Sequence, residues 1–240
     1  MIAIVSSGRS DIGYLSLLLE IEIEEHIVLF APTFINPSMS SDRTREFPCH
    51  ISHYNPNISG FFWPNGLLKK LRAAKLVVIL GDRYEILGLT VYLHQANVSI
   101  LHLNGGDTSL GSKDETYRQM ISDLATIHMP FSEAGRLKLI KRGISKSKIF
   151  LNSRFIPSQL GLRINRSGVD FQRKVENRVL IILHPNSLMP NNTKAEVECL
   201  FKVVKLCSDT KFVWSHPNND HGNGLIIDFF KENHLINLEV

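Results

Sequence analysis

Short uninterrupted runs of apolar residues alternate along this 240-residue chain with longer stretches in which apolar positions recur every third or fourth residue. The runs, at 2–6, 26–31, 76–80, 98–103, 126–131 and 148–151, predict strands. The periodic stretches, near 11–21, 65–74, 85–95, 115–124 and 133–142, predict helices between them. Leu76-Val77-Val78-Ile79-Leu80 is apolar at every position, so both faces of that strand require cover, as in a parallel sheet assembled from βαβ units. Such sheets bind ligands beyond the carboxyl ends of their strands. The residues that follow each apolar run are therefore the first candidates for a site.

The rhythm breaks over 152–176, where Pro157, two glycines and several charges predict a linker with a connecting helix. A new strand is expected at 178–183, ending on His184-Pro185. Thr193-Lys194-Ala195-Glu196 has the spacing of a helix capping box, and Val197, Leu200, Phe201, Val204 and Cys207 follow at helical intervals. A further strand is expected at 211–215, ending on His216-Pro217-Asn218. The chain is thus read as α/β, with an N-terminal Rossmann-like domain over 1–155 and a partial, parallel-sheet domain over 156–240. A unit of about sixty residues buries only about 60% of its unfolded-chain surface, and an apolar parallel strand at 178–183 needs neighbours on both sides. The second domain is therefore expected to be incomplete.

Composition narrows the partners. At 43% hydrophobic and 21% charged the chain is ordinary globular material. A net charge of +4 is weak: it allows an anionic ligand such as a nucleotide sugar, although most mildly basic proteins bind nothing special, while the lack of a basic run interleaved with aromatics argues against nucleic acid. No apolar stretch reaches the roughly 18 residues of a membrane span, and Met1-Ile2-Ala3-Ile4-Val5, with no charged leader, reads as a first strand rather than a signal peptide. Cys49, Cys199 and Cys207 are odd in number and form no C-x-x-C pattern, which points to a reducing, cytoplasmic setting. Cys199 and Cys207 are expected to pack as small apolar groups on a helix. His50, His53, His94, His102, His128, His221 and His234 show no ligand spacing, so neither metal nor cofactor is expected.

The candidate chemistry is acidic. Gly81-Asp82-Arg83-Tyr84-Glu85 follows the run at 76–80, Leu103-Asn104-Gly105-Gly106-Asp107 closes the next, and Asp114-Glu115-Thr116-Tyr117-Arg118 opens the helix beyond it. Each acid has a plain structural reading. Asp82 suits a cap for the helix near Glu85, with Arg83 as a surface partner. Asp107 suits a glycine turn, Asp114 an N-cap, and Glu115 a first-turn acid favoured by the helix dipole. Together, at consecutive strand ends, they suggest proton chemistry on a small polar ligand. Neighbouring carboxylates raise one another's proton affinity, which lets one site hold an acid and a base near neutral pH. His184, at a strand end of the second domain, is placed to face these acids across a cleft, and His216 holds the same relative place one strand later. A satisfied structural histidine is the simpler reading of either. Ser6-Ser7-Gly8-Arg9-Ser10-Asp11 joins the first strand to the first helix, where free N–H groups seat a phosphate and Arg9 forks onto it. The alternative there is a turn capped by Ser10 or Asp11. Neither G-x-G-x-x-G nor G-x-x-x-x-G-K-[ST] occurs.

In combination these residues resemble the hydrolysing UDP-N-acetylglucosamine 2-epimerases, especially the branch serving sialic and related nonulosonic acids. That branch carries T-G-T-R-A-D-Y-G-L-L, matched by Ser6 to Leu15, and G-D-R-x-E, matched by Gly81 to Glu85. Its H-x-H-G-G-E-x-T-x-G-x-x-D-E-x-x-R matches His102 to Arg118 with several changes. Its strand-end His-Pro matches His184-Pro185, and its x-x-P-N-A-D-x-G-G matches His216 to Gly222 imperfectly. The likeness runs the length of the chain and is most specific in the ordered pair G-D-R-x-E and G-G-[ED].

The resemblance implies a GT-B fold, two Rossmann-type domains with a UDP-sugar in the cleft, and members that are often homodimers. It implies a base that removes the C2 proton while UDP leaves C1, a glycal intermediate, water addition at C1, and return of a proton to the opposite face of C2. By position it implies that Asp82, Asp107, Asp114 and His184 are catalytic. It likewise implies that Arg9, Arg83, Glu85, Gly105, Gly106, Glu115, Arg118 and His216 bind the substrate. Three departures stand out. Asp107 replaces the family's Glu, one methylene shorter, Asn104 replaces its second His, and the chain stops at Val240, before the family's G-N-S-S-S-G-[IL]-x-E segment. The expected function is therefore a hydrolysing epimerase in truncated or inactive form. The alternatives are a non-catalytic nucleotide-sugar binder and a GT-B glycosyltransferase.

Overall fold

A computed structural model of the chain describes residues 1–6, 26–30, 51–53, 63, 65–152, 178–217 and 221–240. These form two units. One comprises Met1–Ser109 with Asp114–Ser167, the other Leu110–Lys113 with Gly168–Val240. The boundary expected at 155/156 falls in a stretch outside the described residues, as do Arg9, Cys49 and the helix expected at 11–21. A transfer visible in three dimensions but not in the sequence is that of Leu110–Lys113, which group with the second unit although they interrupt the first.

The first unit is built on six parallel strands: β1 (Ile2–Ser6), β2 (His26–Phe30), β3 (Ile51–His53), β4 (Leu76–Leu80), β5 (Ile100–Leu103) and β6 (Ile127–Met129). They lie in the order β3-β2-β1-β4-β5-β6. This is the Rossmann order, in which the direction of winding reverses between β1 and β4. In register, Ser6 pairs with Leu80, and Leu80 with Leu103, so the chain leaves β1, β4 and β5 along one edge of the sheet. Helices α1 (Asn65–Arg72), α2 (Tyr84–Gln95), α3 (Asp114–Leu124) and α4 (Glu133–Lys141) accompany these strands. The apolar run at 76–80 behaves as its pattern demands, with Val77, Val78, Ile79 and Leu80 all buried. Ala3, Val5, Val77, Ile79 and Ile100 pack with Leu67 and Leu71 of α1, Ile86, Leu89 and Leu93 of α2, and Ile121 of α3. Each such aliphatic side chain contributes about 1.5–3 kcal/mol on burial, which makes this edge a rigid platform.

Strand β3 carries too short an apolar signal to be expected. The strand expected at 148–151 is instead a 3-10 turn, Lys146–Lys148, followed by a single bridge between His128 and Ile149. The Phe150 amide bonds the His128 carbonyl at 2.9 Å and the Asn152 amide bonds that of Pro130 at 2.9 Å. The segment follows β6 without forming a ladder long enough to be a strand.

The second unit holds three parallel strands in the order β7-β8-β9: β7 (Arg178–Ile181), β8 (Lys211–Trp214) and β9 (Leu238–Glu239). Helices α5 (Pro190–Leu206) and α6 (Asn223–Glu232) link them. Its core is Val197, Trp214, Ile226 and Phe230, with the Trp214 and Phe230 rings 4.8 Å apart and edge-on. In β7, Val179 and Leu180 are exposed, as is Ile182 beyond it. These side chains lack the cover that an apolar parallel strand calls for. Two expectations are corrected here. Helix α5 begins at Pro190, whose missing N–H is harmless at that position, so Thr193 lies inside the helix, fully buried, and caps nothing. Cys199 and Cys207 are exposed. Val197 and Val204, seven residues apart, define the inward stripe, and Cys199 projects from another side.

Candidate active site

The carboxyl edge of β4 and β5 carries an organised polar network. Gly81, with φ of 126°, turns the chain out of β4 and delivers Asp82 to the rim. The carboxylate of Asp82 accepts a hydrogen bond from Nη2 of Arg118 and forms an ion pair with it. Arg118 projects from the second turn of α3, 5% exposed, and the same Nη2 donates to Oγ of Ser109 at 2.9 Å. The Ser109 amide in turn donates to Oε2 of Glu115 at 2.9 Å. Oε1 of Glu115 accepts from Gln119 at 2.8 Å and from Nζ of Lys138 at 2.6 Å, and Lys138 also reaches Oγ1 of Thr108 at 3.0 Å. Burial alone would raise the Glu115 carboxyl. The hydrogen bonds from Lys138 and the Ser109 amide, with the charges of Lys138 and Arg118, hold it below the usual carboxylate range. Glu115 is thus an ionised strut that clamps the loop after Asp107 onto α3 and α4.

Glu85 is fully buried at the start of α2. Its Oε1 lies 3.4 Å from Nε of Arg83, and its Oε2 has no hydrogen-bond partner among the described residues. The ring of Tyr84 meets that of Tyr117 edge-on at 6.4 Å. Burial, and next the charge of Glu85, raise the Tyr84 hydroxyl above its ordinary value, so it stays protonated.

Asp107 lies at the same rim but is aimed elsewhere. Its Oδ2 accepts from the Phe131 amide at 2.7 Å and its Oδ1 from the Ser132 amide at 3.1 Å, and the Ser132 hydroxyl donates to Oδ1 as well. Ser132 is the N-cap of α4 and accepts from the Gly135 amide at 2.9 Å. The carboxylate therefore sits at the positive end of a helix, a favourable place for an anion, with three of its acceptor positions in use. The two glycines before it are dictated by close approach. A Cβ on Gly105 would lie 2.9 Å from Nδ1 of His102. One on Gly106, at φ of 81°, would lie 2.5 Å from Cγ of Leu139 and 2.7 Å from the Gly135 carbonyl. Asn104 has φ of 60°, the left-handed region that asparagine tolerates better than most residues.

The other expected site residues lie on separate elements. Asp114 opens α3 and is half-buried. In the second unit His184 and His216 are both exposed, the first just past β7 and the second just past β8, where Nδ1 of His216 lies 3.2 Å from the Pro217 carbonyl. Ser109, Ser122, Lys138, Tyr84 and Tyr117 have parts in the rim that the sequence pattern did not single out. Single serines and a lysine on a helix carry no local signal. Tyr84 and Tyr117 lay inside the two acidic motifs. Among the described residues, no three His, Cys, Asp or Glu side chains converge as they would around a metal ion, and no helix is long and apolar enough to cross a membrane.

A carboxylate fixed by a guanidinium above the ends of β4 and β5 is suited to accept a proton from a ligand seated on the sheet edge. Comparison with known proteins identifies the family and the fold. The family model described as UDP-N-acetylglucosamine 2-epimerase matches residues 66–239. A GDP/UDP-N,N'-diacetylbacillosamine 2-epimerase (hydrolyzing) of Campylobacter jejuni is 28% identical over 165 residues, 66% of this chain and 42% of the relative. A UDP-N,N'-diacetylbacillosamine 2-epimerase (hydrolyzing) of Legionella pneumophila is likewise 28% identical over 165 residues, 65% of this chain and 42% of the relative. The match thus spans about two fifths of these curated relatives. Among solved structures, the UDP-GlcNAc 2-epimerase of Methanocaldococcus jannaschii in complex with UDP-GlcNAc and UDP aligns with a TM-score of 0.74 at 17% identity, covering 99% of this chain and 72% of that one. The Neisseria meningitidis enzyme bound to UDP-GlcNAc aligns with a TM-score of 0.71 at 15% identity, covering 99% and 71%. These likenesses establish the α/β, GT-B-like fold.

Proposed function

The chain belongs to the UDP-N-acetylglucosamine 2-epimerase family, and we propose that it represents the hydrolysing type, releasing UDP from a UDP-linked N-acetyl sugar and inverting C2. The observation that carries this reading is the Asp82–Arg118 pair on the carboxyl edge of β4, inside the family-matched segment. Asp82 would take the C2 proton as the C1–O bond to UDP breaks, leaving a glycal. Water would add at C1, and a proton would return to the opposite face of C2 from Asp114 or His184. Arg9, Arg83 and His216 would hold the diphosphate and sugar. Asp107, in place of a glutamate, would act from its seat on the α4 cap, one methylene short of the family's reach. Such a shortfall of about 1 Å can cost on the order of a hundredfold in rate. The same reading carries a cytoplasmic setting and a homodimer, the latter open to sedimentation. Incubation with UDP-N-acetylglucosamine in deuterated water tests it: UDP release together with deuterium at C2 of the product is expected, and failure to obtain either refutes it.

The engagement of Asp107 by Phe131 and Ser132 favours one second reading, a nucleotide-sugar binder without turnover. Calorimetric binding of UDP-N-acetylglucosamine without deuterium exchange would select it.

A further inference from the structure

His102 lies in β5, one residue before its end, with none of its surface exposed, and a polar ring is costly there unless each nitrogen is satisfied. Each is. Nε2 lies 3.3 Å from the Gly81 carbonyl and Nδ1 lies 3.1 Å from Oγ of Ser122 on α3. A carbonyl only accepts, so Nε2 carries the proton, and Nδ1 of the neutral ring then accepts from the Ser122 hydroxyl. The lone pair left on Ser122 accepts from the Gly106 amide at 3.2 Å. Every donor in the chain Gly106, Ser122, His102, Gly81 therefore has one acceptor, and the direction of the whole relay is determined. Gly105 is flush against the imidazole, since even a methyl group there would meet Nδ1 at 2.9 Å.

We propose that His102 and Ser122 are positioning residues that lock the turn carrying Asp82 to the turn carrying Asp107, and so hold the Asp82 carboxylate against Arg118. The inference rests on the epimerase reading of the same rim. Asp82 adjoins Gly81 and Asp107 adjoins Gly106, so the relay ends one residue from each acid. It spans the two strand-end loops and the helix that supplies Arg118. Burial pushes the imidazole down to about 3, only partly offset by the bond to Gly81, and the neighbouring charges of His128 and Arg118 act in the same direction as burial. The ring stays neutral, and its donor–acceptor order with it.

The test has two arms on the 240-residue chain, with His102→Leu, His102→Gln and Ser122→Ala. Glutamine keeps a donor for Gly81 and an acceptor oxygen, but on a longer flexible stem without the fixed geometry of the ring, whereas leucine loses both. In the first arm, without substrate, amide exchange at Gly106 is expected to quicken about tenfold in Ser122→Ala, the equivalent of one hydrogen bond, with amide shifts concentrated at 81–83 and 105–107. Shifts spread evenly through β4, β5 and α3 would mean ordinary loosening of the core and would overturn the proposal. In the second arm, with UDP-N-acetylglucosamine, His102→Leu is expected to lower kcat about a hundredfold, as for a misplaced catalytic group, with KM held within about threefold. His102→Gln should recover part of kcat. An unchanged kcat, or an effect wholly in KM, overturns the proposal. If the leucine variant does not fold, the glutamine and alanine variants carry both arms. If the parent chain turns over no substrate, the epimerase reading falls, and the amide arm alone decides whether the lock exists.

Discussion

Acidification singles out the buried imidazole of His102. The fold holds it down at about 3, through burial above all, against an ordinary value of 6.5. Between those values the unfolded chain takes up a proton that the folded chain refuses, so stability falls as pH falls through that window. From pH 7 to pH 5 one such group contributes a loss of about 2 kcal/mol, at about 1.36 kcal/mol per pH unit once the unfolded imidazole is charged. Glu115, whose carboxyl is held low, also loses stabilisation in acid, but only below its ordinary 4.5, outside this interval. His128, pushed down to about 4 by burial first and the charge of Lys148 second, acts in the same direction as His102. The informative quantity is therefore the difference between the parent and His102→Gln, which cannot titrate. Native-state hydrogen exchange at the β4 and β5 amides, such as that of Val77 bonded to the Ser99 carbonyl at 2.9 Å, reports the stability of this unit at each pH. The parent is expected to lose about 2 kcal/mol more than the variant between pH 7 and pH 5. Equal losses would show that the fold does not hold His102 neutral, and the reasoning would fail.

Two further outcomes follow from the rim. Gly106→Ala places a side chain at φ of 81° with a Cβ 2.7 Å from the Gly135 carbonyl. The left-handed backbone alone costs about 1–2 kcal/mol, so denaturant unfolding should show at least that loss, and a neutral result would contradict the close packing of this turn on α4. Asp107→Ala removes the acceptor for two amides and one hydroxyl at the start of α4. A loss of about 2 kcal/mol, at the upper end for a helix cap, is expected in the same assay, and wild-type stability would mean that the carboxylate does not serve α4.

The sequence by itself determined what repeats locally. The alternation of wholly apolar runs with periodic stretches made the first unit a parallel α/β sheet, and it put Asp82, Asp107 and Asp114 at the carboxyl ends of strands or the start of a helix. The stripe through Val197 and Val204 likewise announces α5, although the capping-box spacing put the N-cap at Thr193, four residues past its place at Met189. Tertiary structure decided where each carboxylate points. Asp82 and Arg118 lie thirty-six positions apart, Glu115 and Lys138 twenty-three, and Asp107 and Ser132 twenty-five. Such pairs depend on the register between strands and on how helices seat against the sheet, and no local periodicity encodes either. For the same reason, equivalent spacing beyond β4 and β5 gave one acid held by an arginine on the rim and another turned down onto a helix end. It also left Leu110–Lys113 grouped with the second unit. Local pattern specifies which backbone atoms bond within an element, whereas side-chain partners are chosen by the packing of elements that are distant in the chain.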